Sequence, residues 1–205
     1  GARENGKNMY AVQVEDEIFI MDAGLKYPDS SLLGIDVVIP DLDFFRDYGD
    51  KIAGIFLTHG HADSIGALPY ILRDYDIPVF GSKLTIELAK IAVQRENRRR
   101  KNDLFHVIDA DTEIEFKNAN VSFFKTTHSI PDSLGIDIST KEGEIVYTGD
   151  FKFDPSAKKG LRTDFVRLSE IAQKGVLALL SDSTNAEANF PNDRQTSIEK
   201  YIFNI

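Results

Sequence analysis

Ile52-Ala53-Gly54-Ile55-Phe56-Leu57-Thr58-His59-Gly60-His61-Ala62-Asp63-Ser64 joins an apolar run to two histidines and an aspartate. A continuous apolar run of this length is typical of a buried strand. The residues that follow, 65–73, carry apolar side chains at helical spacing. The segment therefore predicts a buried strand, a His-rich loop and then a helix.

The spacing of the polar residues in this loop indicates a metal site. Alternate positions of an extended chain point to the same side, so the imidazoles of His59 and His61 can bind one cation. Asp63 continues the spacing, and a carboxylate there can bind a second metal or hold a metal-activated water. The alternative is that both histidines are ordinary polar loop residues, but the specific His-x-His-x-Asp pattern after a buried strand argues against it.

Two residues far along the chain complete the predicted site. His128 follows the predicted strand 121–126, and Asp150 follows the predicted strand 144–148. Each residue alone is typical of a turn, since His128 precedes Ser-Ile-Pro and Gly-Asp is common at strand ends. Together with the first cluster, His128 is predicted to be a third metal ligand and Asp150 a bridging one. His106, inside an apolar strand, is expected to be structural.

The order of predicted elements indicates α/β layers, with two sheets covered by helices. Strands are predicted at 9–14, 18–22, 52–57, 79–80, 104–108, 112–116, 121–126, 134–139, 144–148 and 176–181. Helices are predicted at 65–73, 83–98 and 165–173. We expect the segments from 104 to 148 to form a meander of strands and the strand at 176–181 to be buried.

Composition limits the class of protein and of metal site. The chain has 205 residues, of which 42% are hydrophobic, and it contains no Cys. Thiolate ligands are thus excluded, and a His and carboxylate set suits zinc, with manganese as the alternative. No apolar run approaches the roughly 20 residues that cross a bilayer, and the first residues lack the apolar core of a signal peptide. We expect a cytoplasmic protein without a membrane partner.

Charge opposes a general nucleic-acid-binding surface, because the formal net charge is -9 and polyanion binding depends on Lys and Arg. Screening hides charges beyond about 10 Å, so a locally basic groove or a metal can still attract phosphates. Arg95 and residues 98–101 form a basic cluster that could contact RNA. Stabilisation of a helix C-terminus explains the same cluster equally well.

Five motifs occur in the order seen in the ribonuclease J family, which the chain resembles over nearly its whole length. They are Asp22-Ala23-Gly24, Thr58-His59-Gly60-His61-Ala62-Asp63, His128-Ser129-Ile130-Pro131-Asp132-Ser133, Thr148-Gly149-Asp150-Phe151-Lys152 and Ser181-Asp182-Ser183-Thr184-Asn185. The resemblance implies a metallo-β-lactamase αββα sandwich, present in part, that leads into a β-CASP domain. Residues 1–180 would form the first part of the lactamase domain, and 181–205 the start of the β-CASP domain, so a larger protein is expected.

The activity implied by this resemblance is that of a two-zinc phosphodiesterase that trims RNA from its 5′ end and sometimes cuts internally. By position, the ligands of one metal are His59, His61 and His128. Asp63 and Asp150 would bind the other metal, with Asp150 shared between the two.

The resemblance also implies roles for three acidic residues around the metals. Asp22 corresponds to a residue that orients the ligand loop. Asp182 corresponds to the first acidic motif of the β-CASP group and would take part in proton transfer beside the metals. Asp63 and Asp182 are therefore the predicted catalytic residues.

One position departs from the family pattern His-x-His-x-Asp-His, because Ser64 stands where the last His would bind the second metal. Serine is a neutral and weak ligand, so the second site is weakened. The loss resembles the less active paralogue that associates with an active one in some Gram-positive bacteria. It implies a weakened ribonuclease acting as a homodimer or with a paralogue. The alternatives are a non-catalytic partner subunit and, on fold alone, a hydrolase of thioesters or lactams.

Overall fold

The computed structural model describes residues 4–29, 32–96, 102–158 and 160–187. Within these ranges ten strands form two five-stranded sheets. The strands are β1 Tyr10–Val14, β2 Glu17–Met21, β3 Ile52–Phe56, β4 Val79–Gly81, β5 Phe105–Val107, β6 Glu113–Glu115, β7 Asn120–Lys125, β8 Leu134–Ser139, β9 Glu144–Tyr147 and β10 Val176–Leu180. The helices are α1 Asp43–Tyr48, α2 Ala62–Ile65, α3 Leu68–Asp74, α4 Lys83–Glu96 and α5 Phe165–Gln173.

The two sheets differ in their strand directions. The first has the order β1-β2-β3-β4-β5 and consists of an antiparallel hairpin followed by parallel strands. The second has the order β10-β9-β8-β7-β6 and is antiparallel except for β10, which follows α5 and pairs parallel to β9. Helices between strands of the first sheet supply the crossovers that parallel pairing requires.

Alternation along β2 shows how the layers stack. Ile18 and Ile20 pack in the cluster that contains the buried side chains of α3 and α4. Phe19 and Met21 belong to a second cluster, which contains the buried side chains of the opposite sheet, such as Phe123. Successive strand residues point to opposite faces, so this strand is covered by helices on one face and by a sheet on the other. The predicted αββα sandwich is confirmed.

The expected meander begins later than the sequence indicated. The strand predicted at 104–108 is β5, which pairs parallel to β4 at the edge of the first sheet. The helix α4 connects β4 to β5. A strand that follows a helical crossover usually pairs parallel to the strand before the helix, and does not start a hairpin with the next strand. Only β6 to β9 form the meander.

Two other expectations need correction. The strand at 176–181 was expected to be buried, but Val176, Leu177 and Leu179 are exposed because β10 lies at the edge of the second sheet. The single helix expected at 65–73 is two helices, α2 and α3. The six-residue helix α1 was not predicted, since it is too short for a clear periodic pattern.

Some predicted features lie outside the described residues. They are positions 98–101 of the basic cluster and residues 188–205 of the expected β-CASP start. Among the helices that the structure describes, none has the length and apolar character needed to cross a membrane.

Candidate metal centre

The predicted ligands come from loops that follow three strands. His59 and His61 follow β3, His128 follows β7, and Asp150 follows β9. Strands β7 and β9 flank the antiparallel β8 and thus run in the same direction, so their carboxyl ends meet at one edge of the sandwich. A hydrogen bond of 2.9 Å from Leu134 N to Thr58 O joins the two sheets at this edge.

The three histidines form a compact cluster. Their ring centroids lie 4.8 Å (His59 to His61), 4.7 Å (His59 to His128) and 5.0 Å (His61 to His128) apart. One nitrogen from each ring lies within 4.8 Å of the others. The closest pair is His128 Nε2 and His61 Nδ1, at 3.2 Å. Three imidazole nitrogens converging in this way could hold a single cation.

Two carboxylates lie beside this cluster. Asp63 Oδ1 and Asp150 Oδ2 are 3.8 and 3.9 Å from His59 Nε2, and Asp150 Oδ2 is also 3.9 Å from His128 Nε2. His59, Asp63 and Asp150 form a second group whose ligand atoms lie within 4.8 Å of one another. Asp150 thus lies near both His59 and His128, while His59 is the residue that the two groups share.

Two atoms of the site support a cation. His59 Nε2 and Asp63 Oδ1 are buried and have no hydrogen-bond partner in the described part of the chain. Buried polar atoms are nearly always paired. An imidazole nitrogen and a carboxylate oxygen that face each other without a partner fit a site that a metal ion completes.

The electrostatics of the cluster also suit a metal. Burial, followed by the neighbouring His128 and His61, lowers the pKa of His59 to about 3. Burial, followed by the charges of Asp63 and Asp182, raises the pKa of Asp150 to about 6. The neutral ring of His59 beside crowded carboxylates forms an arrangement that a cation relieves, because the cation favours the ionised carboxylates.

Asp22 holds the loop that carries the first two histidines. Its buried carboxylate accepts hydrogen bonds from Thr58 N (2.8 Å), Thr58 Oγ1 (2.9 Å) and Tyr147 OH (2.9 Å). Burial raises the pKa of Asp22 to about 7, while these three hydrogen bonds act in the opposite direction. The side chain therefore ties together the ends of β2, β3 and β9, as the orienting role implied by the resemblance requires.

Asp63 reaches the site by a different route from the one expected. The spacing placed it in an extended loop with the two histidines, but it lies in the first turn of α2. The turn forms because Ser64 N and Ile65 N both donate to His61 O. The carboxylate nevertheless faces His59 Nε2, which lies 3.8 Å from Asp63 Oδ1.

Ser64 does not occupy the position of a ligand. Its side chain is buried, and its hydroxyl oxygen lies 3.4 Å from His59 Nδ1, the ring nitrogen opposite the one that faces the carboxylates. The second group thus consists of His59, Asp63 and Asp150, without a contribution from position 64.

Asp182 lines the same cavity as the two candidate carboxylate ligands. This cavity, of about 840 Å³, is bordered by Asp63, Asp150 and Asp182. The backbone of Asp182 is anchored by a 3.1 Å hydrogen bond from its N–H to Thr148 Oγ1. The charge of Asp182 contributes to the raised pKa of Asp150. The cavity is therefore strongly acidic.

The sequence did not reveal two residues that support the site, and it indicated that one histidine lies outside it. Tyr147 and the Thr58 hydroxyl both donate to Asp22, although their positions beside the Thr148-Gly149-Asp150 and His59 motifs were a usable signal. His106 lies on the edge strand β5 and stacks on Phe80 with ring centroids 4.9 Å apart.

Comparison with known proteins supports the fold. The sequence profile of the Metallo-beta-lactamase superfamily matches residues 2–199. A motif mutant of a metallo-β-lactamase from Cronobacter sakazakii has a similar fold, with a TM-score of 0.57 and 12% identity, covering 91% of this chain and 81% of that chain. The Rm3 metallo-β-lactamase has a TM-score of 0.51 and 16% identity, covering 86% and 72%. At these identities, the likeness concerns the fold alone.

Two curated relatives are more similar in sequence. Ribonuclease J 2 of Streptococcus pyogenes serotype M3 is 61% identical over 189 residues, covering 92% of this chain and 34% of the relative. Ribonuclease J 2 of Staphylococcus epidermidis is 49% identical over 203 residues, covering 99% and 36%. The chain thus spans about a third of the length of these relatives. It belongs to the metallo-β-lactamase superfamily, and its similarity to ribonuclease J 2 is consistent with a member of the ribonuclease J family.

Proposed function

We propose that the chain carries the metal site of a ribonuclease, a metal-dependent phosphodiesterase that shortens RNA from its 5′ end and also cuts internally. The observation that carries this proposal is the convergence of His59, His61, His128 and Asp150 at one edge of the sandwich. Zinc is the proposed ion because three imidazoles and a carboxylate suit it, and manganese is the alternative.

RNA is the proposed substrate because of the curated relatives, whose name is ribonuclease J 2 and which match nearly the whole chain. The acidic cavity around Asp150 opposes direct binding of phosphates by this part of the chain. A bound divalent cation would offset two of these negative charges and offer a phosphate a positive centre. Metal binding is therefore a precondition for RNA binding at this site.

Each side chain has a proposed task in hydrolysis. The histidine cluster and Asp150 would hold the cation, which would supply a water of lowered pKa and neutralise charge on the phosphate. Asp63, with its Oδ1 atom unpaired and buried, accepts a hydrogen bond from the attacking water and orients it. Asp182, on the border of the same cavity, accepts or returns a proton as the leaving oxygen departs.

The reaction is proposed to be slow because Ser64 offers no imidazole to a second metal. A two-metal site stabilises both the attacking and the leaving oxygens in the transition state. The loss of one ion removes part of this stabilisation and therefore lowers the rate of hydrolysis. The whole protein is proposed to act in the cytoplasm, in RNA maturation and decay, as a homodimer or together with a ribonuclease J paralogue.

The presence of Ser64 in place of a histidine ligand also favours a second candidate function. A chain that has lost one ligand could serve as a non-catalytic partner subunit of an active paralogue and contribute only surface. The two functions differ in what they require of His61. A catalytic role requires the imidazole, whereas a purely structural partnership requires only the fold.

The experiment that tests the proposal is hydrolysis of a 5′-monophosphorylated RNA by the full-length protein, with the His61→Ala variant as control. We expect release of nucleotides from the 5′ end, abolished by a metal chelator and by His61→Ala. Equal rates for the wild-type protein and His61→Ala would overturn the catalytic proposal. Unchanged association of His61→Ala with a paralogue would then support the partner function.

A further inference from the structure

His59 Nδ1 lies at the end of a buried chain of hydrogen bonds that begins at Tyr147. Tyr147 OH donates to Asp22 Oδ2 over 2.9 Å, and the hydroxyl of Thr58 lies 2.9 Å from the same oxygen. The Thr58 hydroxyl is also 2.9 Å from His59 Nδ1. Asp22, Thr58 and His59 are at most 1% exposed, so water cannot take the place of any of these partners.

The number of protons decides the direction of each hydrogen bond. A hydroxyl has one proton to donate, and an ionised carboxylate, the form that Asp22 takes above its pKa of about 7, can only accept. The Thr58 proton therefore belongs to Asp22, and the remaining lone pairs of Thr58 Oγ1 can only accept from His59 Nδ1. A doubly protonated ring would also need an acceptor for Nε2, and Nε2 has no hydrogen-bond partner among the described residues.

We infer that Thr58 is a positioning residue, which together with Asp22 fixes the proton of His59 on Nδ1 and leaves the Nε2 lone pair free for a cation. The inference rests on the proposed metal site, and it assigns to Thr58 a role that concerns one tautomer of one ligand. Ser64 Oγ, at 3.4 Å from Nδ1, adds a longer contact at the same nitrogen.

Affinity for zinc in the full-length protein, measured by competition with a chelator, tests this role. Thr58→Ser keeps the hydroxyl, and Thr58→Val keeps the shape without it. We expect Thr58→Ser to bind zinc within about threefold of the wild-type protein and Thr58→Val to bind it about 10- to 100-fold more weakly, as for other residues that orient metal ligands. Equal zinc affinities for Thr58→Val and Thr58→Ser would overturn the inference.

The tautomer itself gives a second readout that requires no metal and no activity. Solid-state ¹⁵N spectra of the metal-free protein, labelled at histidine and compared with His59→Gln, report which ring nitrogen of His59 carries the proton. At pH 8 we expect Nδ1–H in the wild-type protein and in Thr58→Ser. Nε2–H in the wild-type protein would sink the inference, even if Thr58→Val fails to fold.

The two proposals fail in different ways. If the wild-type protein binds no zinc or manganese, the proposed function fails, while the ¹⁵N spectrum still decides the position of the proton. If the wild-type protein binds zinc and Thr58→Val binds it equally well, the metal site stands and only the positioning role is lost.

Discussion

Gly24 lies so close to Asp63 that a Cβ atom at position 24 would stand 1.5 Å from the Asp63 carbonyl oxygen. The approach is part of a set of backbone hydrogen bonds in which Ala23 N donates to Ser64 O and Leu25 N donates to Ala62 O. The segment that follows β2 is thus hydrogen-bonded along its backbone to the turn of α2 that carries Asp63. Only glycine fits at position 24.

Replacement of this glycine should damage both the fold and the site. We expect Gly24→Ala to lower the free energy of unfolding by at least about 3 kcal/mol, because the obstacle is backbone and cannot turn aside. It should also reduce metal affinity, since α2 must move and Asp63 moves with it. Urea unfolding and metal competition measure the two effects.

Gly49→Ala is the matched control for this prediction. Gly49 has an α-helical backbone conformation, and a Cβ atom there would meet nothing closer than 3.7 Å. This variant should behave as the wild-type protein does. Equal stability of Gly24→Ala and Gly49→Ala would show that the described contact between residues 24 and 63 is not rigid.

Ser64→His should strengthen binding of a second metal ion and raise turnover in the full-length protein. The substitution restores an imidazole at the position where the family pattern has one, next to Asp63 in the same helical turn. Metal stoichiometry by mass spectrometry and the rate of RNA hydrolysis are the readouts. Ser64→Ala, which adds no ligand, is the control. A second metal without faster hydrolysis would refute the explanation that the missing ligand limits the rate.

Asp137 and Glu144 form a buried pair of carboxyl groups that should make stability depend on pH. Burial, followed by the charge of Glu144, raises the pKa of Asp137 to about 7. The folded protein thus holds this proton more tightly than the unfolded chain does. The contribution of the proton to stability is lost as pH rises from about 4, the ordinary value for Asp, through 7.

Asp137→Asn should remove this loss and make the protein more stable than the wild type at pH 8, by about 1–2 kcal/mol. The amide can donate to Glu144 Oε2, which has no partner in the described residues, and a hydrogen bond to a charged group contributes about this much. Urea unfolding between pH 5 and 8 measures the difference. The exposed Asp111 offers the control Asp111→Asn. A constant difference across this pH range would contradict the raised pKa of Asp137.

The fold could be predicted from sequence wherever periodicity was strong. The hairpin of β1 and β2, the strand β3 and the helix α5 lie within a residue or two of their predicted positions. The predictions were wrong where the position of a strand in a sheet depends on which other strand it pairs with. Sequence alone does not say that β5 joins β4, or that the apolar β10 lies at an exposed edge.

The residues of the candidate site were easier to predict than their supports. His59, His61 and His128 stand out because histidine is rare in this chain, with four in all. Tyr147 and Thr58 are common residue types whose role arises only when distant strand ends meet at Asp22. Spacing also suggested the wrong backbone for Asp63, because it cannot distinguish an extended loop from the first turn of a helix.

The most direct test of the central claim is the metal content per chain of the full-length protein, purified without added metal or chelator and measured by mass spectrometry. Convergence of three imidazoles and Asp150 predicts about one equivalent of zinc or manganese, retained through gel filtration and lost in His61→Ala. Absence of metal, even after incubation with either ion, would contradict the claim that this edge of the sandwich is a metal centre.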